Sequence, residues 1–481
     1  MSSCCQSLTK AGLQVLEPGT EAYTEREASY FSRSSQLKPY CYVQPRDAAE
    51  VAVALTTLVK DTTCNFAIRS GGGMVWAGAN NIDNGVTIDL GLMNQTEYDP
   101  ELKIAKIGGG SRWSDVYRTL EPFNVTVAGG RASEVGVGGF LTGGGNNYFS
   151  AKYGFGCDNV VNFEVVLASG EIVNANAQEN PDLFKALKGG SGNFGIVTRF
   201  DMAAIEGATS LWGGAVVYPA DGPTSQQHIA AFTNWVRNAH AYPAGTVVPF
   251  WAYTPSAGEI QIIWMMTDTS GREWTSTPAM DEFCAIEPRL ASTLRHDSLL
   301  NMTITFDQPR DLYHAWSTMT FKNDARVMRR GVQMHAELIA KWKAEVSDPD
   351  FTNYLIFQPM PRVIFEHAVA QGGNVLGMDP ERLGDADAVL IQTQMWVKTP
   401  ELEAKARELT TRFRLDLQQY SVEVGSGVEW EYINYADQTQ DPIRTYGAAN
   451  VAFMRDVSAR YDPEQVFQKR ARAGFKLPSD N

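Results

Sequence analysis

Glycine gathers in four short clusters within the first 200 residues of this 481-residue chain. The clusters occupy residues 71–73, 108–110, 136–145 and 189–195. Consecutive glycines let backbone N–H groups converge on an anion, because no Cβ stands in the way. Tight turns alone explain one glycine pair well but explain four such clusters poorly. The sequence therefore predicts a domain whose loops bind a phosphate-containing ligand.

Two common phosphate-binding motifs do not account for these clusters. A Walker loop needs a lysine directly after its second glycine, and none of the clusters has one there. A dinucleotide pattern does occur at Gly190, Gly192 and Gly195. It follows a predicted helix and precedes the predicted strand IVTRF, whereas a Rossmann loop follows a strand and opens a helix. We therefore set both interpretations aside.

Charge and hydropathy exclude two classes of partner. The formal net charge is −14 and the isoelectric point is about 5.0, whereas nucleic-acid binding needs a positive surface. No run of about 18 apolar residues is present, so we expect no membrane span. The length and the 44% hydrophobic content suit two domains. We expect a globular enzyme that acts on a small molecule and binds no nucleic acid, membrane or metal.

The composition of the sequence changes near residue 207, where glycine becomes less frequent and longer helical patterns begin. We predict helices over 225–240, 310–322 and 326–345, and strands over 259–267, 354–359 and 388–397. All six histidines fall in this second region. The last fifty or so residues are loop-rich and aromatic again. The predicted division is therefore 1–207 (core 36–207), 208–429 and 430–481, with the last segment returning to the first domain.

Sequons and cysteines favour a secreted glycoprotein. Asn-x-Thr sequons begin at Asn94, Asn124 and Asn301. The chain has six cysteines, and Cys4 or Cys5 would suit a disulfide to Cys64. The first residues lack the layout of a signal peptide, so secretion would require that a signal has been removed. The alternative is an intracellular protein with chance sequons and free buried thiols.

Several long motifs in a fixed order carry a resemblance to a known family. They are IRSGGGM with GVTIDLG, the stretch from VAGGRASEVGVGG to ASGEIV, and NPDLFKALKGGSGNFGIVTRFD. Together they resemble the FAD-binding domain of the vanillyl-alcohol oxidase/p-cresol methylhydroxylase (PCMH) superfamily, in its berberine-bridge-enzyme-like (BBE-like) branch. The tail is similar to that of fungal FAD-linked oxidases, so the likeness covers about residues 36–207 and 428–470. It implies an α+β fold: a two-part FAD-binding domain of the PCMH type and a substrate domain built on a large antiparallel sheet covered by helices.

The resemblance also implies which residues bind FAD. The loop for the diphosphate would be Arg69, Ser70, Gly71, Gly72, Gly73 and Met74. The residues along the ribityl chain and diphosphate would be Ser133, Val135, Gly136, Gly138, Gly139, Thr142, Gly143, Gly144 and Gly145. The adenine and ribose side would be lined by Asn159, Gly195, Ile196 and Val197, and Asn450 would approach the flavin from the tail.

Two residues that usually tether the flavin in this family are missing. Gly73 stands where most members have a histidine bonded to the flavin, and Ala132 stands at the place of the second, cysteinyl tether. Cys157 is expected to be a small buried residue rather than a flavin ligand. We therefore predict non-covalent FAD. Gly73 is either natural or the product of an engineered His→Gly change.

The resemblance implies a catalytic base in the C-terminal segment. The tyrosine of the family's Asn-Tyr pair is Tyr435, and Tyr432 is the second candidate. On a strand, Tyr432 would face the other way or sit obliquely. Tyr435 could instead be core filler, with a desolvated carboxylate as the base. Candidates for that carboxylate, otherwise expected to be solvated or structural, are Glu429, Glu431 and Asp437.

Polar side chains on the predicted strands are candidates for substrate binding. They are Gln358, Gln392, Gln394 and Trp396, of which the last three share one face by alternation. That face serves either polar recognition or ordinary contact with solvent. Val135, by resemblance, goes with oxygen reaching the flavin, which favours an oxidase that forms hydrogen peroxide.

The leading hypothesis is an FAD-dependent oxidoreductase that oxidises a sugar, an alcohol or a secondary-metabolite intermediate by hydride transfer to flavin N5. One alternative is a flavin-binding cyclase of secondary metabolism without net redox chemistry, suggested by the missing tethers. A second alternative is an inactive flavin-binding protein.

Overall fold

The computed structural model describes residues 2–479, and its first part contains a four-stranded sheet. The strand order is Val15–Leu16, Cys41–Val43, Val86–Asp89 and Phe66–Arg69, with the last three parallel. The connecting helix Ala48–Asp61 begins where the Asp47 carboxylate accepts the N–H of Glu50. Its apolar face then packs on this sheet. The strand Phe66–Arg69 runs directly into the first glycine cluster.

A second, antiparallel sheet lies beside the first and has five strands. Their order is Thr96–Asp99, Ile104–Gly108, Ile196–Ala203, Val160–Val166 and Ile172–Asn176. A short pair, Val125–Thr126 with Ile205–Glu206, adds to this part. The helices of the region are Ser3–Lys10, Glu21–Ala28, Trp113–Leu120, Val137–Thr142, Ser150–Tyr153 and Pro181–Leu187.

The second part is built on a nine-stranded antiparallel sheet, as predicted. Its main strands, in spatial order, are Ser210–Pro219, Ile260–Asp268, Gly245–Tyr253, Thr352–Met360, Ala388–Val397 and Tyr313–Lys322. The short strands Ala291–Ser292, Arg295–Ser298 and Gly427–Val428 pair at its two ends. Three long helices cover one face and share a hydrophobic core with it: Gly222–Asn238, Ala325–Glu345 and Pro400–Glu423. The shorter helices are Asp281–Cys284, Leu299–Thr305, Arg362–Ala370 and Pro380–Leu383.

The helix predicted over 310–322 is wrong, because this segment forms the strand Tyr313–Lys322. Alternate residues Ala315, Met319 and Phe321 enter the core under the long helices. Trp316, on the other face, lines a cavity. The aromatic and β-branched residues of the segment suit a pleated strand better than a helix. The other predicted helices and strands are confirmed to within a few residues.

The C-terminal segment packs against the first sheet. Its helices are Ala448–Tyr461 and Val466–Lys469. Ala471 then forms a parallel bridge with Phe66. The Arg470 guanidinium donates to the carbonyl of Cys64 at 2.6 Å and to that of Leu58 at 2.9 Å. These contacts agree with a tail that returns to the first domain, while the exact boundaries at 207 and 430 stay predictions.

Two disulfides fix the N-terminal helix to the first sheet. Cys4 is bonded to Cys64, as predicted, and Cys5 is bonded to Cys41. All three sequon asparagines are exposed, so the surface leaves room for a glycan at each. No helix within residues 2–479 has the length and apolar content needed to cross a bilayer.

We predict that Cys64→Ala lowers the free energy of unfolding by about 2–4 kcal/mol, because it opens a large covalent loop in the unfolded chain. Chemical denaturation monitored by tryptophan fluorescence would measure this change. Cys284→Ala is the control, because Cys284 is a free and only half-buried thiol. Equal stability of the two variants would contradict the prediction.

Candidate active site

The first glycine cluster is in contact with the third. A Cβ added to Gly71 would overlap the backbone of Gly136, and a Cβ on Gly136 would overlap that of Gly71. Gly72 has φ +70°, and a Cβ there would lie 2.9 Å from Nε of Arg69. Glycine at these positions therefore allows two backbone loops to meet without side chains between them.

Three further hydrogen bonds bring the other clusters to the same place. The Ser70 hydroxyl donates to the carbonyl of Gly109 at 2.7 Å and accepts the N–H of Gly138 at 3.1 Å. The N–H of Gly189 donates to the carbonyl of Thr142 at 3.1 Å. All four clusters found in the sequence therefore belong to one structural unit.

Arg112 stabilises this unit, a role that the sequence analysis did not predict. Its guanidinium donates to the carbonyl of Gly71 at 3.1 Å and to the carbonyl of Glu134. Burial lowers the pKa of Arg112 to about 10, so the side chain stays charged at neutral pH. An isolated arginine outside any motif offers no sequence signal for such a contact.

The unit forms one wall of a cavity that also reaches the inner face of the large sheet. Thirteen of the predicted cofactor residues line it: Ser70, Gly71, Gly72, Gly73, Met74, Val135, Gly136, Gly138, Gly139, Thr142, Gly195, Ile196 and Val197. The predicted residues Tyr432, Tyr435, Gln358, Gln392 and Gln394 line it as well. The structure therefore brings the predicted cofactor, catalytic and substrate groups to one cavity.

Other predicted residues are not part of the lining, and their contacts explain why. The Arg69 guanidinium donates to the Arg26 carbonyl and stacks on the ring of Tyr30, which directs it away from the cavity. Asn159 donates to two backbone carbonyls at 2.8–2.9 Å. Asn450 donates to the carbonyl of Tyr446 at 3.1 Å. These three side chains support the backbone around the cavity.

The remaining predicted residues outside the lining are Ser133, Gly143, Gly144, Gly145 and Trp396. Ser133 donates its N–H and its hydroxyl to the carboxylate of Asp307. Gly144 and Gly145 have φ +113° and +94°, which only glycine adopts readily. Trp396 packs against the rings of His314 and Tyr354.

The lining fits FAD on two structural grounds. A Cβ added to Gly73 or Gly139 would meet no atom within 4 Å, so bare backbone borders open space at both places. Trp76, Asn80, Trp316 and Gln392 line the cavity, and each has a buried polar atom without a hydrogen-bond partner within residues 2–479. A ligand with many hydrogen-bonding atoms would supply such partners.

Tyr435 lies at the centre of a polar cluster in the cavity. Its hydroxyl accepts a hydrogen bond from the Arg131 guanidinium at 3.0 Å. The same guanidinium nitrogen donates to Oε1 of Gln358 at 2.6 Å, and Asn146 donates to that oxygen at 3.0 Å. Negative charge that develops on the Tyr435 oxygen would thus lie beside a cation. Sequence reasoning missed Arg131 and Asn146.

Tyr432 has a different environment and was misplaced in the sequence analysis. Residues Ile433–Tyr435 form a 3₁₀ turn and not a strand, so the rings of Tyr432 and Tyr435 meet at 4.9 Å. The Tyr432 hydroxyl accepts the N–H groups of Gly145 and Asn146, both at 2.8 Å. Burial raises its pKa above the ordinary value, so the hydroxyl stays protonated at neutral pH and is not available as a base.

The carboxylates considered as alternative bases lie outside the cavity lining. Asp437 is buried and paired with Arg407. Burial raises the pKa of Glu431, and its carboxylate lies 3.6 Å from Arg414. Cys157 is also fully buried outside the lining, and burial raises its pKa well above the ordinary value.

The inner face of the large sheet supplies apolar walls. They consist of Val248, Phe250, Met265, Ile356 and Trp316, with Phe31, Tyr148 and Phe306 from neighbouring segments. Gln392 and Gln394 interrupt this surface and are 3% and 2% exposed, so the alternative of a solvated face is wrong. Gln308 donates to Oε1 of Gln394 at 3.0 Å, which fixes the orientation of one of these amides.

Comparisons with known proteins agree with this geometry. A family model described as an FAD binding domain matches residues 39–176. The chain is 39% identical over 477 residues to the FAD-dependent monooxygenase sdcF of Emericella nidulans, with 98% of each chain covered. The solved structure of BBE-like 1 from Physcomitrella patens has a TM-score of 0.79 at 20% identity, covering 100% of both chains. Glucooligosaccharide oxidase from Acremonium strictum, described with a 6-S-cysteinyl, 8α-N1-histidyl FAD, has a TM-score of 0.79 at 19% identity, covering 98% of this chain and 99% of that one.

The fold and its glycine-lined cavity define an FAD-dependent oxidoreductase of the PCMH type. Within that class, the chain belongs to the family of fungal FAD-dependent enzymes that includes sdcF, and it shares the fold of BBE-like 1.

We predict that Tyr432→Phe lowers the free energy of unfolding by about 1–3 kcal/mol, because two buried backbone N–H groups lose their acceptor. Thermal or denaturant unfolding would measure it. Tyr446→Phe is the matched control: it is equally buried, but its hydroxyl only donates to the Gly189 carbonyl, at 3.3 Å. A smaller loss in Tyr432→Phe than in the control would contradict the assigned role.

Proposed function

We propose that this protein is an FAD-dependent oxidase of a small, largely apolar organic substrate, with Tyr435 as the catalytic base. The observation that carries the proposal is the position of the Tyr435 hydroxyl between Arg131 and Gln358 in the glycine-walled cavity. FAD, when bound, supplies the acceptor for a hydride from the substrate.

The residues of the chain perform the other half of the oxidation. When a C–H bond of an alcohol gives up a hydride, the hydroxyl must lose a proton, and Tyr435 is placed to accept it. Arg131 lies 3.0 Å from the tyrosine oxygen and would stabilise the charge that moves through it. The amide of Gln358, held by Arg131 and Asn146, would orient the substrate oxygen.

The walls of the cavity favour a secondary-metabolite intermediate over a sugar. Aromatic and aliphatic side chains dominate the sheet side, and the amides of Gln358, Gln392 and Gln394 are the polar groups predicted there. Binding to such a surface is favourable when the ligand buries apolar area, and it is unfavourable when many ligand hydroxyls lose their water without gaining hydrogen bonds. The similarity to fungal FAD-dependent enzymes is compatible with this substrate class.

The proposed acceptor of the electrons is molecular oxygen. The substrate loses two electrons and two protons, and oxygen takes both pairs to become hydrogen peroxide. Val135, which lines the cavity, is the residue whose small side chain would leave room for oxygen.

A monooxygenase is the second candidate, because the relative in Emericella nidulans bears that name. A monooxygenase inserts one oxygen atom and needs a separate reductant such as NADPH to reduce the other to water. Without oxygen, the organic substrate would bleach the flavin of an oxidase, whereas NADPH would bleach the flavin of a monooxygenase. We would mix the anaerobic holoprotein with NADPH, and separately with a panel of apolar alcohols and phenols and of oligosaccharides, and follow absorbance near 450 nm.

Bleaching by an apolar alcohol or phenol, with peroxide formed on admission of air, is the result expected of the oxidase. Bleaching by NADPH but by no organic compound would replace the oxidase with a monooxygenase. Bleaching by oligosaccharides alone would overturn the substrate class. Conversion of a panel compound without bleaching would support the cyclase.

We predict that Tyr435→Phe slows anaerobic flavin reduction by about 100- to 10,000-fold, as expected when a general base is removed. Stopped-flow absorbance with a compound that bleaches the wild type would measure the rate. FAD content should be unchanged, and Tyr461→Phe, whose hydroxyl donates to Asp182 outside the cavity, is the control. A rate within threefold of the wild type would remove Tyr435 from the mechanism.

We further propose that the FAD is not covalently bound. Gly73 and Ala132, at the two tether positions of the family, both line the cavity and carry no group that could bond to a flavin. Because a Cβ at Gly73 would meet nothing within 4 Å, packing does not require glycine there.

We predict that acid precipitation releases all the yellow colour from the wild type and that Gly73→His retains flavin in the pellet. The open space at Gly73 leaves room for an imidazole next to the flavin. Absorbance of the supernatant and of the redissolved pellet would measure the distribution, with Gly73→Ala as the control. Colour in the wild-type pellet would contradict untethered FAD.

We also propose secretion, on the two disulfides and the three exposed sequons. A mass loss after enzymatic removal of N-glycans from protein of the natural host would support it, and the unglycosylated mass alone would count against it.

A further inference from the structure

Among the basic side chains that line the cavity, Arg131 and Lys476 have no ion pair within residues 2–479, and Lys476 also lacks a side-chain hydrogen-bond partner there. The basic side chains in the lining are Arg112, Arg131, Arg310 and Lys476, and the acidic ones are Glu134 and Asp307. Glu134 pairs with Arg112 at 3.4 Å and with Arg310 at 3.0 Å. Arg131 is held by Tyr435 and Gln358. Within residues 2–479, no carboxylate lies within 4.0 Å of the Lys476 ammonium.

The position of Lys476 is fixed by the tail around it. The N–H of Gly474 donates to the carbonyl of Gly78 at 3.0 Å, and the ring of Phe475 packs on Trp76. On the other side, Asn193 donates to the carbonyl of Phe475 at 3.1 Å. The tail therefore contacts the loop after the first glycine cluster, at Trp76 and Gly78, and the turn of the fourth cluster, at Asn193.

Within the described residues, the ammonium itself has one hydrogen-bond partner. It donates to the carbonyl of Phe467 at 3.1 Å, which leaves two of its three N–H groups free. Burial lowers the pKa of Lys476 to about 8, and no charged neighbour opposes that effect. Lys476 is half-buried, and a cation that is partly removed from water is stabilised by an anion that shares its site. Because Lys476 is one of the residues that line the cavity, an anionic group of the bound ligand would be a source of that anion.

We propose that Lys476 binds the diphosphate of FAD and is thereby a cofactor-binding residue contributed by the C-terminal tail. The diphosphate is the only anionic part of FAD at neutral pH, whereas the isoalloxazine, the ribityl chain and the adenosine are uncharged. A lysine donates to phosphate oxygens as a point charge with rotatable N–H groups, which suits a residue on a short, irregular segment. The proposal concerns the reversible binding of FAD, as distinct from any covalent link, and rests on the assignment of the cavity to FAD.

A purely structural role is the competing explanation, since Lys476 also contacts the Phe467 carbonyl. The two roles differ in which ligand they affect. A diphosphate contact strengthens binding of FAD and leaves binding of riboflavin, which has no phosphate, unchanged. A structural role weakens both ligands alike.

The test uses apoprotein of the full chain, prepared from riboflavin-deprived cells, at pH 7, where the ammonium is charged. Dissociation constants for FAD and for riboflavin are measured by flavin fluorescence on wild type, Lys476→Met, Lys476→Arg and Lys469→Met. Lys469 is exposed, and its ammonium donates to the carbonyl of Glu464 at 3.3 Å, so it is the matched control.

We expect Lys476→Met to raise the dissociation constant for FAD by about 10- to 100-fold, the range for the loss of one charge-assisted hydrogen-bonding group. Riboflavin affinity should stay within about twofold, Lys476→Arg should retain most of the FAD affinity, and Lys469→Met should match the wild type.

If Lys476→Met weakens the binding of FAD and of riboflavin equally, the residue has a structural role and the proposal is overturned. Unchanged FAD affinity would overturn it as well. The acid-precipitation experiment on FAD-loaded wild type is separate. Flavin in that pellet would contradict untethered FAD but would leave the comparison of initial affinities valid.

Discussion

The contact between the backbones of Gly71 and Gly136 is the constraint on which the site depends. Because neither residue has a side chain, the loop after the strand Phe66–Arg69 and the start of the helix Val137–Thr142 lie against each other. Ser70 then joins this contact to two further glycine clusters. A methyl group at either glycine would separate the loops, and the wall of the cavity would lose its shape.

The proposed catalytic residues lie where this wall meets the large sheet. Gln358 comes from the sheet, Arg131 from the glycine-rich part and Tyr435 from the C-terminal segment, and they meet within 2.6–3.5 Å. Tyr432 ties that segment to the backbone of the third glycine cluster. Because three distant parts of the chain supply one cluster, the proposed mechanism would require the two parts to pack against each other.

The sequence predicted the features that repeat along the chain and missed those that depend on single contacts. Consecutive glycines and alternating strands leave patterns, so the loops and the shared face of Gln392 and Gln394 could be predicted, whereas the large sheet was implied by the family resemblance. Arg112 and Arg131 leave no pattern, because each contacts residues far away in sequence, and Lys476 is a single lysine outside any motif. The segment 310–322 was misread as a helix because its alternation emerges only once the buried side is known.

The position of the tail has a consequence for how the protein acquires its cofactor. Residues 471–476 close one side of the cavity, yet they are translated after every other part of its lining. Until this segment has left the ribosome and paired with the strand at Phe66, the cavity lacks a wall. Complete binding of FAD would therefore require that this segment has been synthesised and has packed, since the lining is incomplete without it.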